Sequence, residues 1–392
     1  MSVFDELIGQ QRVVESLREA ARGVGMTHAW LFTGPPGSGR SVAAKAFAAA
    51  LECTASEPGC GVCAGCHTVL AGTHADVEFV RPQGLSIGVK EARELVGRAA
   101  LSPTGKGWHV MVIEDADRLT EGAANVLLKA IEEPASRTVW LLCVPSAEDL
   151  VVTIRSRCRV VSLRTPPVDA VAAMLRARDD VDEPTAAFAA RAAAGHVGRA
   201  RRLATDRAAR DRRAAVLRIP SRLSDVGACL DAADELLKSV NAEVAELTAE
   251  LEEAETASLK EAFGEGGSAT GLGRGQSGAA ITRGASRAAS SALKELEGRQ
   301  KSRATRTTRD ALDRALTDLA GFYRDVLVLQ LGAGVDIANA DREAEMREQA
   351  ANSSPESTVR RLDAILACRE LLDANANPLL ALESMLLRLR AG

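Results

Sequence analysis

Gly34-Pro35-Pro36-Gly37-Ser38-Gly39-Arg40-Ser41 follows directly on the apolar run Trp30-Leu31-Phe32 and opens a helical stretch, Val42–Leu51. Four residues separate Gly34 from Gly39, the spacing of a loop that cradles phosphate. Its glycines let backbone N–H groups curl around an anion at the positive end of a helix. An unrelated Gly-rich turn would share the composition but not the strand–loop–helix context. Gly34, Pro35, Gly37, Ser38, Gly39, Arg40 and Ser41 are therefore candidate nucleotide-binding residues. Arg40 stands where such a loop carries lysine. A planar guanidinium fork has a different geometry from a compact ammonium, so γ-phosphate positioning is expected to be poor. Nucleotide binding stays open.

Working outward, Val110-Met111-Val112-Ile113, Val139-Trp140-Leu141-Leu142-Cys143-Val144 and Val160-Val161 are further short apolar runs. Each predicts a buried strand of a largely parallel sheet. Between them, Ala124, Leu127, Leu128 and Ile131 fall on one helical face. Alternating strands and helices predict an α/β layered domain. The carboxylates Glu114 and Asp115 follow the Val110–Ile113 strand and are the candidate Mg²⁺ site; an acidic helix start is the plainer reading. A working pair runs Asp then Glu. The inverted order shifts each carboxylate by about one methylene, which is costly where chemistry depends on positioning.

Cys53, Cys60, Cys63 and Cys66 are spaced C-x6-C-x2-C-x2-C, with Gly59, Gly61 and Gly65 easing the turns. Four thiolates suit a tetrahedral Zn²⁺, and a fully occupied shell predicts a structural ion. Paired disulfides or an iron–sulfur cluster are the alternatives, disfavoured by compartment and spacing. His67 and His74 read as surface residues, while Cys143, Cys229 and Cys368 sit in apolar patterns and read as core thiols.

The remaining sequence bounds the setting. A net charge of −4, from 49 basic and 53 acidic residues, supplies no global field for nucleic acid. The N-terminal residues lack a signal-peptide pattern, and no apolar stretch suffices to cross a bilayer; a cytoplasmic protein is expected. The 392 residues predict several domains. These are an α/β domain at 1–165 with the cysteine module at 53–66, a small helical group at 166–208, and a helical domain at 209–392. Within the last, 264–291 is rich in Gly, Ser, Ala and Thr and predicts a flexible loop. It lies between a glutamate-rich helix at 243–261 and a basic segment at 283–309, which predicts an antiparallel extension with charge pairing. An Arg-rich stretch from Arg199 to Arg213 reads as a solvated face or a subunit contact.

Three more segments carry a family resemblance. Phe4-Asp5-Glu6-Leu7-Ile8-Gly9-Gln10 resembles the N-terminal box of clamp-loader AAA+ proteins, which lies near the adenine pocket. Ala124-Asn125-Val126-Leu127-Leu128-Lys129-Ala130-Ile131-Glu132-Glu133-Pro134 resembles the helix these proteins place after their acidic strand. Thr153-Ile154-Arg155-Ser156-Arg157-Cys158 matches their Ser-Arg-Cys motif. Gly195-His196-Val197-Gly198-Arg199 is similar to the sensor 2 region, with Gly198 where a motor subunit places arginine. The resemblance implies an AAA+ RecA-like P-loop domain with a zinc-binding insertion, a helical lid and an all-helical C-terminal collar. With an altered ATP site and an intact Ser156-Arg157-Cys158, it points to the delta-prime branch of the bacterial DNA polymerase III clamp loaders. In that branch Arg157, at the end of a sheet strand, would be an arginine finger given in trans. The implied partners are gamma/tau and delta subunits, the sliding clamp and primer-template DNA; the implied ligands are structural Zn²⁺ and ATP/Mg²⁺ at a degenerate site. A gamma/tau-type ATPase motor is the alternative, and a nucleoside-phosphate kinase a weaker one, since nothing marks an acceptor site.

Overall fold

The computed structural model describes residues 2–82, 84–105, 107–262 and 278–392. Two compact units divide the chain: Met1–Pro82 with Ser86–Arg210, and Gln83–Leu85 with Asp211–Gly392.

Unit one begins with α1 (Gln11–Ala21), β1 (Ala29–Thr33), α2 (Arg40–Leu51), α3 (Ala64–Ala71), β2 (Val77–Val80), α4 (Val89–Ala99) and β3 (His109–Ile113). It continues with α5 (Glu121–Glu132), β4 (Thr138–Val144), α6 (Val152–Arg155), β5 (Arg159–Ser162), α7 (Val168–Arg178), α8 (Glu183–Ala192) and α9 (Val197–Thr205). All pairings in the sheet are parallel, in the order β2-β3-β4-β1-β5. Period-two alternation divides the apolar side chains between two cores. Trp30, Phe32, Val110, Val112, Val139 and Leu141 pack towards α2. Leu31, Met111, Ile113, Trp140 and Leu142 pack towards α4 and α5. Four of the strands are those that the apolar runs predict. β2 is the addition: only four residues long and carrying Glu78, it is a sheet edge rather than a continuous apolar run. α7, α8 and α9 hold a small core of their own around Val171, Leu175, Ala189 and Leu203.

Beyond α9, α10 runs Arg207–Leu217. The rest of unit two is helical: α11 (Ile219–Arg222), α12 (Val226–Ala262), α13 (Gly278–Leu331), α14 (Glu343–Ala351), α15 (Pro355–Asp373) and α16 (Pro378–Ala391). Its core gathers Leu236, Val240, Leu312, Leu316, Phe322, Ile365 and Leu386. α12 and α13 are antiparallel: Arg314 bonds Glu243 at 2.9 Å, and Arg303 bonds Glu255 at 2.8 Å further along. The loop expected at 264–291 needs correction over its second half, where residues 278–291 are helical. The alanines interspersed among Gly and Ser there carry the helix propensity that composition conceals. Residues 263–277 lie outside the described residues. Arg213 is also not a solvated residue. Its side chain is only 4% exposed and meets Asp318 at 3.3 Å, Asp341 at 3.5 Å and Asn339. Among the described residues, no helix is long and apolar enough to cross a membrane.

Candidate nucleotide and metal sites

The phosphate-type loop leaves β1 and enters α2, beside the point where strand order reverses between β1 and β4. Open parallel sheets bind ligands at such points, beyond the carboxyl ends of the strands. Gly34, Gly37 and Gly39 all have positive φ, at 148°, 87° and 91°, so the backbone curls as the spacing predicts. Gly39 caps α2, which therefore starts at Arg40, two residues earlier than expected.

The loop's side chains are turned on the protein itself. The Arg40 guanidinium donates to the Gly34 carbonyl within the same loop. The Ser38 hydroxyl is buried and has no hydrogen-bond partner. Above the loop lies His196, the residue capping α9, whose Nδ1 accepts from the Arg199 N–H at 3.3 Å. A Cβ placed on Gly37 would stand 2.5 Å from His196 Cγ, so the imidazole rests directly on the loop backbone. Burial, then the neighbouring Arg199 and Arg40 charges, holds the His196 pKa below its ordinary value. A cavity of about 350 Å³ remains beside this contact, reached by Leu7, Ile8, Gly37, Arg40, Met174 and Gly198. The N-terminal box and the Gly195–Arg199 segment thus converge on the loop, although sequence alone does not assign His196 to it. Its one signal is a helix-capping histidine just after a glycine.

Glu114 and Asp115 follow β3. Glu114 is paired with Arg81 at 3.1 Å. Asp115 sits at φ 53°, in the left-handed region, and starts a short 3₁₀ turn, so the two carboxylates do not continue the strand. Next to them stands Asp117, which no sequence motif marks. It is partly buried, with Oδ1 buried and unpartnered, and burial followed by the nearby Asp115 charge raises its pKa.

Arg157 lies between α6 and β5, before the strand rather than at the end of one as the sequence suggests. A short helix that apolar periodicity does not reveal supplies its anchors. Nη1 donates to the Thr153 carbonyl at 2.7 Å and to Ser156 Oγ at 3.2 Å, while Nη2 is ion-paired with Glu132 at the end of α5. The Arg157 side chain remains 39% exposed. Ser156 Oγ also donates to Thr153 O at 3.1 Å. Cys158 turns inward towards Ile154 O, and burial pushes its thiol up to about 12, far from a nucleophile. Arg159, by contrast, is structural: it bonds Gly25 O and Ser16 Oγ and covers the Trp30 ring at 4.7 Å.

Cys53, Cys60, Cys63 and Cys66 are brought together with every sulfur within 4.8 Å of the others. Cys53 and Cys63 sulfurs stand 3.8 Å apart. Sulfurs about 2.3 Å from a tetrahedral zinc sit about 3.8 Å from one another, so the donor set fits one ion. The Cys63 N–H is directed at Cys60 Sγ and the Cys66 N–H at Cys63 Sγ, both at 3.4 Å. Burial alone would raise the Cys63 thiol, but donors from Cys66 and Thr54 outweigh it and bring it down to about 6. Cys53 is lowered in the same way, whereas burial raises Cys66. His67 and His74 lie outside the cluster; His74 Nδ1 accepts from the Asp76 N–H.

These features can be set beside known proteins. A family model described as DNA polymerase III, delta subunit matches residues 9–167, and one for the C-terminal part of that subunit matches residues 305–391. The delta' subunit of DNA polymerase III from Pseudomonas aeruginosa is 37% identical over 167 residues, 41% of this chain and 50% of that one. DNA polymerase III subunit tau from Bacillus subtilis is 33% identical over 159 residues, 40% of this chain and 28% of that one. The chain thus spans half or less of the length of these relatives. A solved DNA polymerase III gamma subunit-related protein from Thermotoga maritima aligns at 17% identity with a TM-score of 0.40, covering 96% of this chain and 98% of its own. With residues 9–167 and the C-terminal helices at 305–391 each matched by a model of that subunit, the chain belongs to the DNA polymerase III delta-subunit family.

Proposed function

We propose that this chain serves as a delta-prime-type subunit of a bacterial clamp loader, helping to load the sliding clamp on primed DNA while hydrolysing little or no ATP itself. The observation that carries this reading is the state of the P-loop. Arg40 is tied to Gly34 O and His196 rests on Gly37, so the loop is closed upon itself. Glu114 is likewise engaged by Arg81. A motor site needs the opposite: a free cation for the γ-phosphate and two carboxylates positioned for Mg²⁺ and water. In this reading residues 166–208 act as the lid, 209–392 as the collar, and the cysteine cluster holds structural Zn²⁺. The gamma/tau and delta subunits, clamp and primer-template DNA are the partners, in the cytoplasm.

Arg157 is the residue through which the chain would act. Its guanidinium is surface-presented and already oriented, as an arginine finger reaching a neighbour's ATP requires. Such a finger contributes roughly 10³–10⁵ in rate when it acts in trans. The test is Arg157→Ala reconstituted with motor subunits, delta subunit, clamp and primed DNA. Clamp loading and part of the DNA-stimulated ATPase should fall with assembly intact. Unchanged rates would remove the finger role, and loss of assembly would make Arg157 an interface anchor instead. The tau similarity favours one second reading, an ATPase motor. Turnover by the isolated chain, abolished by Arg40→Ala, would establish it.

A further inference from the structure

We infer that Glu132, at the C-terminal end of α5, is the positioning residue for Arg157. The inference rests on the reading of Arg157 as a finger given in trans. Arginine presents its donors in a rigid fork, but on a long and flexible stem. Placing that fork before the reacting phosphate arrives removes an ordering cost from the chemical step.

Here the placement comes from two directions. α6 supplies the Thr153 carbonyl and its C-capping residue the Ser156 hydroxyl to Nη1, and α5 supplies the Glu132 carboxylate to Nη2. Thr153 and Ser156 are Arg157's own near neighbours and hold only Nη1. Glu132, 25 residues away in the chain, fixes the plane. Its closest contact is one oxygen on Nη2. Among the described residues the Nε–H has no hydrogen-bond partner, which leaves a donor for a phosphate. Both side chains are partly exposed, at 39% and 36%, so the pair is accessible from outside. What Glu132 contributes is an acceptor in a fixed place rather than charge, because a negative group beside a phosphate gives no direct benefit.

The test uses the assembled complex, with motor subunits carrying alanine at their own finger arginines so that turnover reports the one site facing this chain. With clamp and primed DNA, kcat and KM for ATP are measured for Arg157→Ala, Glu132→Ala, Glu132→Gln and the double alanine variant. Urea unfolding of each isolated chain is measured alongside. A partly exposed pair implies that Glu132→Ala lowers kcat by about three- to fivefold with KM and stability unchanged. Glu132→Gln, which keeps the acceptor, should stay near wild type. In the Arg157→Ala background, Glu132→Ala should add nothing. If Arg157→Ala abolishes turnover while Glu132→Ala leaves kcat intact, the positioning role is overturned and the finger stands. Equal losses in the Ala and Gln variants, or a matching loss of stability, also overturn it. Normal turnover by Arg157→Ala would sink the finger reading and this inference together.

Discussion

Gly37→Ala is the sharpest probe of the contact between His196 and the phosphate loop. Gly37 has φ +87°, and a side chain there would cost about 1–2 kcal/mol in left-handed backbone strain alone. The new Cβ would also stand 2.5 Å from His196 Cγ, 2.6 Å from its Cβ and 2.8 Å from its Cα. The last atom is backbone and cannot swing aside, so overpacking adds about 1–3 kcal/mol. The expected loss is about 2–5 kcal/mol. All three tryptophans, Trp30, Trp108 and Trp140, belong to unit one, so their fluorescence follows that unit in urea. With an m-value of about 2–3 kcal/mol/M, the midpoint should fall by roughly 1–2 M. His196→Gly removes the ring and Cβ but leaves the backbone strain at residue 37. The two substitutions should therefore couple by about 1 kcal/mol or more in a double-mutant cycle. A midpoint shift worth less than about 0.5 kcal/mol, or additivity within that margin, refutes the claim that the histidine sits on the loop.

Other perturbations test the remaining features. Protein purified without added metal should carry about one zinc equivalent, and Cys63→Ser should release it; iron on elemental analysis, or four alkylatable thiols, would contradict the site. His196 has a folded pKa below its unfolded value, so its stabilising contribution is present above about pH 6.5 and is lost as pH falls from there towards the lowered value. The stability difference between wild type and His196→Gln, followed by fluorescence, should accordingly shrink between pH 7.5 and 5.5, and a difference constant with pH would refute this. Arg213→Ala removes one partner of a buried charged cluster and should cost about 3–5 kcal/mol, read from helical circular dichroism in urea; a loss below about 1 kcal/mol would mean that Asp318 and Asp341 are solvated.

Features confined to one stretch of chain are legible in the sequence. The strand–loop–helix around Gly34–Ser41 and the Cys53–Cys66 cluster each declare themselves by spacing, because turn and coordination geometry are fixed within a few residues. Strands β1, β3 and β4 are legible for a similar reason, since a strand buried on both faces must be apolar throughout; β5, at the other edge, is legible only from its Val160-Val161 pair, of which Val161 alone is buried. The edge strand β2 and the helix at 278–291 are not. An edge is only half buried, and alanine among glycine and serine hides its helix propensity in a composition that resembles a linker.

The sequence by itself determined the α/β class of the N-terminal domain, the altered phosphate loop with Arg40 and the inverted Glu114–Asp115 pair. Only the tertiary structure decided what those residues touch. His196 reaches Gly37 across 159 positions and Glu132 reaches Arg157 across 25, while Arg213, within a run of arginines that reads as solvated, is buried among acids from α13 and the segment before α14. Hydrophobic period and spacing encode which elements form, because those depend on neighbours in the chain. Which charged side chain meets which depends on how the elements pack, and a charge pattern looks the same in sequence whether its partner is water or a buried carboxylate.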